Sequence, residues 1–417
     1  MRRKPIAVAA LLLPLAMLFL ACTSLPLDQT ASGAGKGPGQ SPPQFPGLWC
    51  SDVAELRFWF TGDAFMQRAE ELIRSARDYI FIDSFLIIDD EKTERIFQLL
   101  RQKMAENVRV YLITDASSGY VPGRPAIPLL VESGIPITEY NPIRGNRIAR
   151  LPLFLQRDHR KFWLIDGRSV VLGGQNIYSV SLNSPAESGN TDTMVEFRSA
   201  TAARELRDAF VREWNAYSMD KLKAEDFVIP PGDGGKQCLW LVHQDSLAKP
   251  VVGEMFSRLM ERAEREVWLI QSYALPDRSI LRRIRQLTEA GVEVNIFYSS
   301  TFHTLDKFFY STGYRMIDLI EAGAKLWAYG STTSHLHYKA VIVDERWFTV
   351  GSANLNYRSA YLSKELNILF EGPEMGAAML ENLEELKANS RRISAEKAAG
   401  YRGWKFLFYY LFLFFGG

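Results

Sequence analysis

Two stretches of the chain follow one plan. An amphipathic run, AFMQRAEELIRSARD, leads into the apolar segment YIFIDS at 79–84, and EMFSRLMERAERE leads in the same way into VWLIQS at 267–272. Each copy continues with a second helical stretch and a β-rich run, VRVYLITD from Val108 and VEVNIFYS from Val292. LLVESGIPITEY, ending at Tyr140, is then matched by DLIEAGAKLWAY, ending at Tyr329. Helical periodicity alternating with short strand-like runs predicts mostly parallel strands covered by helices, an α/β architecture with one such layer in each half. Ser84 and Ser272 stand 188 residues apart, as do Cys50 and Cys238, which sets the repeat register.

At 417 residues the chain is longer than one compact domain usually runs. It divides into an export segment at 1–22, a tether at 23–50, a first lobe at 51–227, a linker at 228–236, a second lobe at 237–395 and an apolar tail at 396–417. The export segment is a basic cluster, an apolar run and small residues around Cys22. The tether is rich in Gly, Pro, Ser and Gln, a composition that cannot bury enough apolar surface to offset its ordering entropy. The linker, VIPPGDGGK, carries turn formers. Outside the cytosol Cys50 and Cys238 could pair or stay as two separate thiols, and the sequence leaves both open.

One motif occurs once per copy. HRKFWLIDGRSVVLGGQN runs from His159 to Asn176, and HYKAVIVDERWFTVGSAN from His337 to Asn354. Both read His, any residue, Lys, four residues, Asp, six residues, Gly, with Asn three positions later. Two such matches at one place in a repeat are not accidental. On a strand, residues two apart share a face, so His159 with Lys161, and His337 with Lys339, present an imidazole beside an ammonium. Asp166 and Asp344 complete the motif and are candidate site residues. Their odd offset from the histidines turns them to the other face, and Asp166 with Gly167 reads as a hairpin turn, which favours a structural role.

Two ammoniums converging with the amides of Asn176 and Asn354 would stabilise an anion whose charge is spread over non-bridging oxygens, as in a phosphodiester. Two imidazoles then divide the remaining work. One attacks phosphorus to form a phosphohistidine, and the other protonates the leaving alcohol and deprotonates the incoming one. That division calls for carboxylates to orient and tune the rings. Glu365, in SKELNILF, is the candidate for His337, and Asp192, in NTDTMVEF, for His159, with Glu187 and Glu196 as competitors. His243, His303 and His335 read as non-catalytic.

With these residues in view, the doubled pattern resembles the phospholipase D superfamily over roughly 52–389, and within it is most similar to bacterial cardiolipin synthases through DHRKFWLIDG, GGQNI and GSANLNYRSAYLSKELNILF. The resemblance implies two pseudo-symmetric α/β/α sandwich lobes with mostly parallel, mixed sheets, both motifs meeting between the lobes, and a metal-independent phosphohistidine mechanism. It further implies His159 as nucleophile, His337 as general acid and base, and Lys161, Lys339, Asn176 and Asn354 as the phosphate holders. Gly174 stands where the second copy has Ser352, as in that subgroup, and Ser352 could donate a hydrogen bond to phosphate or to a motif histidine. Those synthases usually begin with two spanning helices, whereas this chain begins with a cleavable-looking signal. The sequence around Cys22 resembles a bacterial lipoprotein box, which implies a lipidated protein anchored in the cell envelope and facing the periplasm or exterior.

Membrane features bear on the substrate. Arg144, Arg147, Arg150 and Arg157 surround the apolar run 151–155, a combination suited to an anionic phospholipid surface. The tail is almost wholly aromatic and aliphatic over 404–415, yet as a helix it falls well short of a ~30 Å hydrocarbon core, so it is expected to lie in the interface. The segment 301–314 is expected as a loop near the substrate entrance. Lys and Arg total 49 against 48 Asp and Glu, which provides no chain-wide basic field for nucleic acid. The reading is a membrane-associated phosphatidyltransferase with a phospholipid as substrate and a small alcohol or second phospholipid as acceptor. A hydrolytic phospholipase D and an exported nuclease of the same superfamily are the alternatives.

Overall fold

In a computed structural model, residues 45–120, 132–142, 156–245, 249–300, 306–331 and 333–413 are described. Cys22, most of the tether, Arg144, Arg147, Arg150, the run 151–155 and His303 lie outside them. The principal elements of the first half are β1 (Leu48–Thr61), α1 (Gly62–Ser75), β2 (Tyr79–Ser84), α2 (Glu91–Ala105), β3 (Arg109–Asp115), β4 (Ile137–Tyr140), β5 (Arg157–Asp158), β6 (Lys161–Ile165), β7 (Ser169–Gly173), β8 (Thr191–Arg198) and α3 (Ala200–Tyr217). The second half runs β9 (Gln237–Gln244), α4 (Val251–Met260), β10 (Glu266–Ile270), α5 (Arg278–Glu289), β11 (Glu293–Ser299), α6 (Asp306–Glu321), β12 (Lys325–Tyr329) and β13 (Ala340–Val343). It ends with β14 (Trp347–Gly351), β15 (Ser363–Glu371), α7 (Pro373–Ala388), β16 (Ser390–Arg392) and α8 (Trp404–Leu413).

One sheet carries both halves. Its order, β16-β12-β11-β10-β13-β14-β15-β9-β1-β8-β7-β6-β2-β3-β4, is pseudo-symmetric about the antiparallel pair β9/β1. Along it, parallel pairing is confined to β2-β3-β4 and β10-β11-β12. The class is α/β with a mixed sheet, as expected, but antiparallel pairs outnumber parallel ones. The cause is local: each motif folds back as a hairpin, β6/β7 and β13/β14, and a three-residue turn can join only antiparallel strands.

Helices cover both faces. α1 turns Phe65, Met66, Ala69, Leu72 and Ile73 inward at helical spacing, and with α2 it closes over Ile80 and Ile82. α4, α5 and α6 do the same in the second half over Val267 and Leu269. On the opposite face α3 and α7 close over one core built from both halves, in which Phe81 stacks on Phe210 at 4.2 Å and Trp268, Ile270 and Leu383 also lie. The halves share a hydrophobic core as well as a sheet.

The strand register corrects the repeat offset. Ile80 pairs with Ile165 and Val267 with Val343, so these strands align at 187 residues (80 to 267) rather than 188. Because side chains alternate, a one-residue slip exchanges the faces. Phe81 and Trp268 both occupy the shared core, whereas an offset of 188 would match Phe81 with Leu269, which faces the outer helices.

Four further expectations meet the structure here. Cys50 sits opposite Leu239, the neighbour of Cys238, yet both cysteines are free thiols, and burial pushes the Cys50 thiol up to about 12. Arg157, grouped by sequence with the membrane-facing arginines, is instead buried against Asp115 at 3.1 Å. The stretch expected as an entrance loop is helical from Asp306 onward, as part of α6. The tail helix α8 packs on α6 through Phe406 and Tyr409 against Tyr310 (5.1 and 5.2 Å between ring centroids) and Tyr410 against Tyr314 (5.2 Å). Its other side leaves Trp404 81% and Phe408 54% exposed. Among the described residues no helix is long and apolar enough to cross a membrane.

Candidate active site

The chain entering each motif crosses to the other half. β5 pairs with Ser363 and Lys364 of β15, and Leu336 bridges to Thr191 of β8. The His159 N–H consequently donates to the Lys364 carbonyl at 3.0 Å, and the His337 N–H to the Thr191 carbonyl at 2.8 Å. The next residue on each of those strands is a carboxylate. His159 Nδ1 lies 3.1 Å from both oxygens of Glu365, and His337 Nδ1 lies 2.5 Å from Asp192 Oδ2. The pairing expected from sequence is therefore exchanged: Glu365 orients His159 and Asp192 orients His337. The competitors are occupied elsewhere, Glu196 with Arg68 and Glu187 in a capping box with Ser184.

With Nδ1 so held, each ring offers Nε2, and the two imidazoles keep 15% and 20% of their side-chain surface exposed. Lys161 and Lys339 lie beside them, each Nζ donating to the carbonyl of its own motif histidine. Burial lowers the His159 imidazole to about 4, with the Glu365 charge opposing and the two lysines assisting. Burial also lowers His337, assisted by Lys339 and opposed by Asp192. The lysines are lowered by burial to about 7 for Lys161 and about 8 for Lys339, each supported in its charged form by Glu365 and Asp192. Lys339 acts on His159 and Lys161 on His337, so the two half-sites lie close enough to act as one site. Burial works against ionisation of Glu365 and Asp192 too, but the facing histidines and lysines keep both carboxyls below their usual range.

The loops after the hairpins are built alike, the Asn176 N–H donating to Ser181 Oγ at 3.3 Å and the Asn354 N–H to Ser359 Oγ at 3.2 Å. Asn176 Oδ1 accepts from the Leu86 N–H at 3.1 Å, while Asn354 Oδ1 is buried without a hydrogen bond. Ser352 departs from expectation. Its hydroxyl is fully buried and donates to Glu365 Oε2 at 2.5 Å, so it supports the carboxylate rather than phosphate or a histidine. Gly174 holds the matching position because a Cβ there would come within 2.1 Å of Asp192 Oδ1.

Asp166 and Asp344 are not part of the site. Both adopt left-handed backbone (φ 52° and 55°) at the hairpin tips, where Asp166 accepts from the N–H groups of Arg77, Asp78 and Tyr79, and Asp344 from those of Glu264, Arg265 and Glu266. Their place among the candidate catalytic groups is withdrawn in favour of fastening each hairpin to the strand beside it. Phe85 is a site residue that the motif does not contain. Its ring meets His159 edge-on at 4.8 Å and lies 4.9 Å from the Lys161 ammonium. The matching position in the second half is Ser272, bonded to His335 at 3.0 Å. His243 is engaged by Glu205 at 2.9 Å on Nδ1 and by the Arg160 guanidinium at 2.9 Å on Nε2. Among the described residues no three His, Cys, Asp or Glu side chains group so as to hold a metal ion.

The sequence matches the family described as cardiolipin synthase, PLD-like domain, at residues 70–214 and 256–387, one segment in each half. The chain belongs to this family. Membership makes it an enzyme of the phospholipase D type, from a family that acts on phospholipids. The chain is 26% identical over 372 residues to a cardiolipin synthase of a Geobacillus species, covering 88% of this chain and 70% of that one. It is 26% identical over 301 residues to the cardiolipin synthase of Geobacillus kaustophilus, covering 71% of this chain and 58% of that one. A phosphatidylserine synthase from Haemophilus influenzae shares the fold, with a TM-score of 0.68 at 14% identity over 86% of this chain and 91% of that one.

Proposed function

We propose that the protein is a membrane-associated phosphatidyltransferase of cardiolipin synthase type that works through a phosphohistidine. The observation that carries the reading is the crossed pair of dyads, His159 with Glu365 and His337 with Asp192, close to two lysines. His159 is neutral at pH 7 and able to attack phosphorus. The anionic phosphodiester and Asp192 favour the imidazolium form of His337, which takes its Nε2 proton from solvent before the reaction, and as the P–O bond to the leaving alcohol breaks that imidazolium gives the proton to the alkoxide and becomes neutral. An acceptor hydroxyl then gives its proton to His337 and attacks the phosphohistidine, which breaks the P–N bond and frees His159. Lys161 and Lys339, with the amides of Asn176 and Asn354, bear the charge on the non-bridging oxygens in both steps.

The acceptor is an alcohol, and phosphatidylglycerol suits it because one lipid then serves as donor and acceptor. The exposed Trp404 and Phe408 on α8, seated on a helix with Lys405 beside Tyr310, support attachment at the level of lipid headgroups. Localisation in the envelope through Cys22 belongs to the same reading. The test is to incubate the purified protein with labelled phosphatidylglycerol vesicles in EDTA and identify the products. Cardiolipin with free glycerol is expected. Phosphatidic acid alone would assign a hydrolase, and cleavage of DNA or RNA without any lipid product would assign a nuclease.

A further inference from the structure

The residue between the first motif's histidine and lysine, Arg160, takes the opposite face from both by strand alternation and is fully buried. Its guanidinium donates to Asp158 Oδ1 at 2.9 Å and Asp245 Oδ1 at 3.1 Å, and lies 3.1 Å from Asp83 Oδ2 and 3.7 Å from Glu213 Oε2. Lys364 joins the same cluster, bonded to Glu213 and, at 3.0 Å, to Asp245. Asp83, Asp158, Arg160 and Glu213 belong to the first half, and Lys364 and Asp245 to the second. The cluster therefore fastens one half to the other directly behind His159 and Glu365, the immediate chain neighbours of Arg160 and Lys364.

The second copy provides an internal control. By strand register and motif position, Asp83, Asp158 and Arg160 correspond to Ile270, Leu336 and Tyr338, all buried in the shared core. Lys364 corresponds to Thr191, which bonds the hydroxyls of Tyr329 and Ser334 at 3.0 and 2.8 Å. The same fold position thus closes with neutral side chains. Apolar packing often matches or exceeds a buried ionic cluster in stability, so the neutral side chains of the second copy are a workable alternative at this position. What differs is rigidity across the interface. A multidentate guanidinium fixes angles as well as distance, and the His159–Glu365 contact spans that interface.

We propose that Arg160 and Lys364 are positioning residues whose ionic clamp between the halves holds Glu365 in register with His159. The clamp acts only on this dyad, because the His337–Asp192 dyad is backed by the neutral cluster. The proposal rests on His159 as a reacting group.

The test uses the full chain carrying the second copy's residues, D83I/D158L/R160Y, and separately K364M and K364R. Folding is read by circular dichroism and thermal melting, and kcat and KM on phosphatidylglycerol vesicles. The grafted variant and K364M are expected to lose about 10–100-fold in kcat, the range usual for groups that orient a reacting side chain, with KM within about twofold. K364R should recover most of the loss. In an E365Q background the loss should nearly vanish, whereas in D192N it should persist, because only Glu365 transmits the effect. Full kcat in folded grafted protein, or equal loss in both backgrounds, overturns the proposal. If the graft does not fold, K364M and K364R decide. If the wild type shows no lipid product, the functional reading fails separately, and imidazole 15N resonances take over. The clamp then predicts that K364M changes the titration of His159 and leaves that of His337, and unchanged titration of both overturns it.

Discussion

Glu365 and Asp192 are committed differently. Glu365 accepts from His159 and from the Ser352 hydroxyl, while Asp192 accepts from His337 and from the Thr193 N–H. Replacing either histidine by Ala is expected to abolish turnover in the vesicle assay, and E365Q or D192N to lower kcat by about 10–100-fold, since the rings keep Nε2 but lose their orientation. The pH profile follows from the same shifts. His159 must be neutral to attack, so kcat/KM should fall as pH drops through about 4. His337 must carry a proton to act as the acid, and burial holds it below the ordinary histidine value, so the alkaline fall of kcat/KM should begin with His337, with loss of the Lys161 and Lys339 charges following near 7 and 8. A bound phosphate stabilises both ammoniums, so the alkaline limb of kcat should lie above that of kcat/KM, and coincident limbs would contradict this assignment. The sequence made His159, Lys161, His337 and Lys339 legible because their spacing is doubled. It did not reveal which carboxylate faces which ring, because that depends on β5 and Leu336 crossing to strands some 200 and 145 residues away. Nor did it reveal Arg160, since a buried arginine reads on paper like an exposed one.

At the scale of elements, the hairpin tips and the tail carry separable roles. D344A removes an acceptor shared by three backbone N–H groups at a left-handed position, and is expected to cost about 1–3 kcal/mol in denaturant unfolding while the folded fraction keeps its kcat. A large kcat loss without destabilisation would return Asp344 to the chemistry. Deleting residues 404–417 removes the exposed Trp404 and Phe408 and should weaken sedimentation with anionic vesicles while sparing hydrolysis of a soluble phosphodiester. Unchanged sedimentation would count against α8 as a lipid contact. The Asp-Gly turn was legible because turn chemistry is local. The parallel content was overestimated because helix-linked strands announce themselves by periodicity, whereas the four- and five-residue strands of a motif hairpin carry too few positions to do so.

At the scale of the whole molecule, neither half holds a complete dyad, because each histidine takes its carboxylate from the other. Expressed separately, residues 51–236 and 237–417 are expected to show no turnover, and any activity on mixing should require their association, measurable by size exclusion. Turnover by one half alone would break the two-histidine reading. The doubling was legible from the start, but the repeat offset of 188 was one residue too long for β2 and β10, and matched endings such as YIFIDS and VWLIQS could not show it. The joined sheet has a last consequence. Two separate sheets would present four open borders, among them the 14-residue β1 and the 8-residue β9, whose unpaired amides and carbonyls are templates for aggregation. Pairing those two strands leaves, among the described residues, only the four-residue β4 and the three-residue β16, the latter bearing Arg391 and Arg392. Short borders, one of them cationic, recruit other chains poorly, so protection from edge-to-edge pairing is a property of the fused molecule that neither half would possess alone.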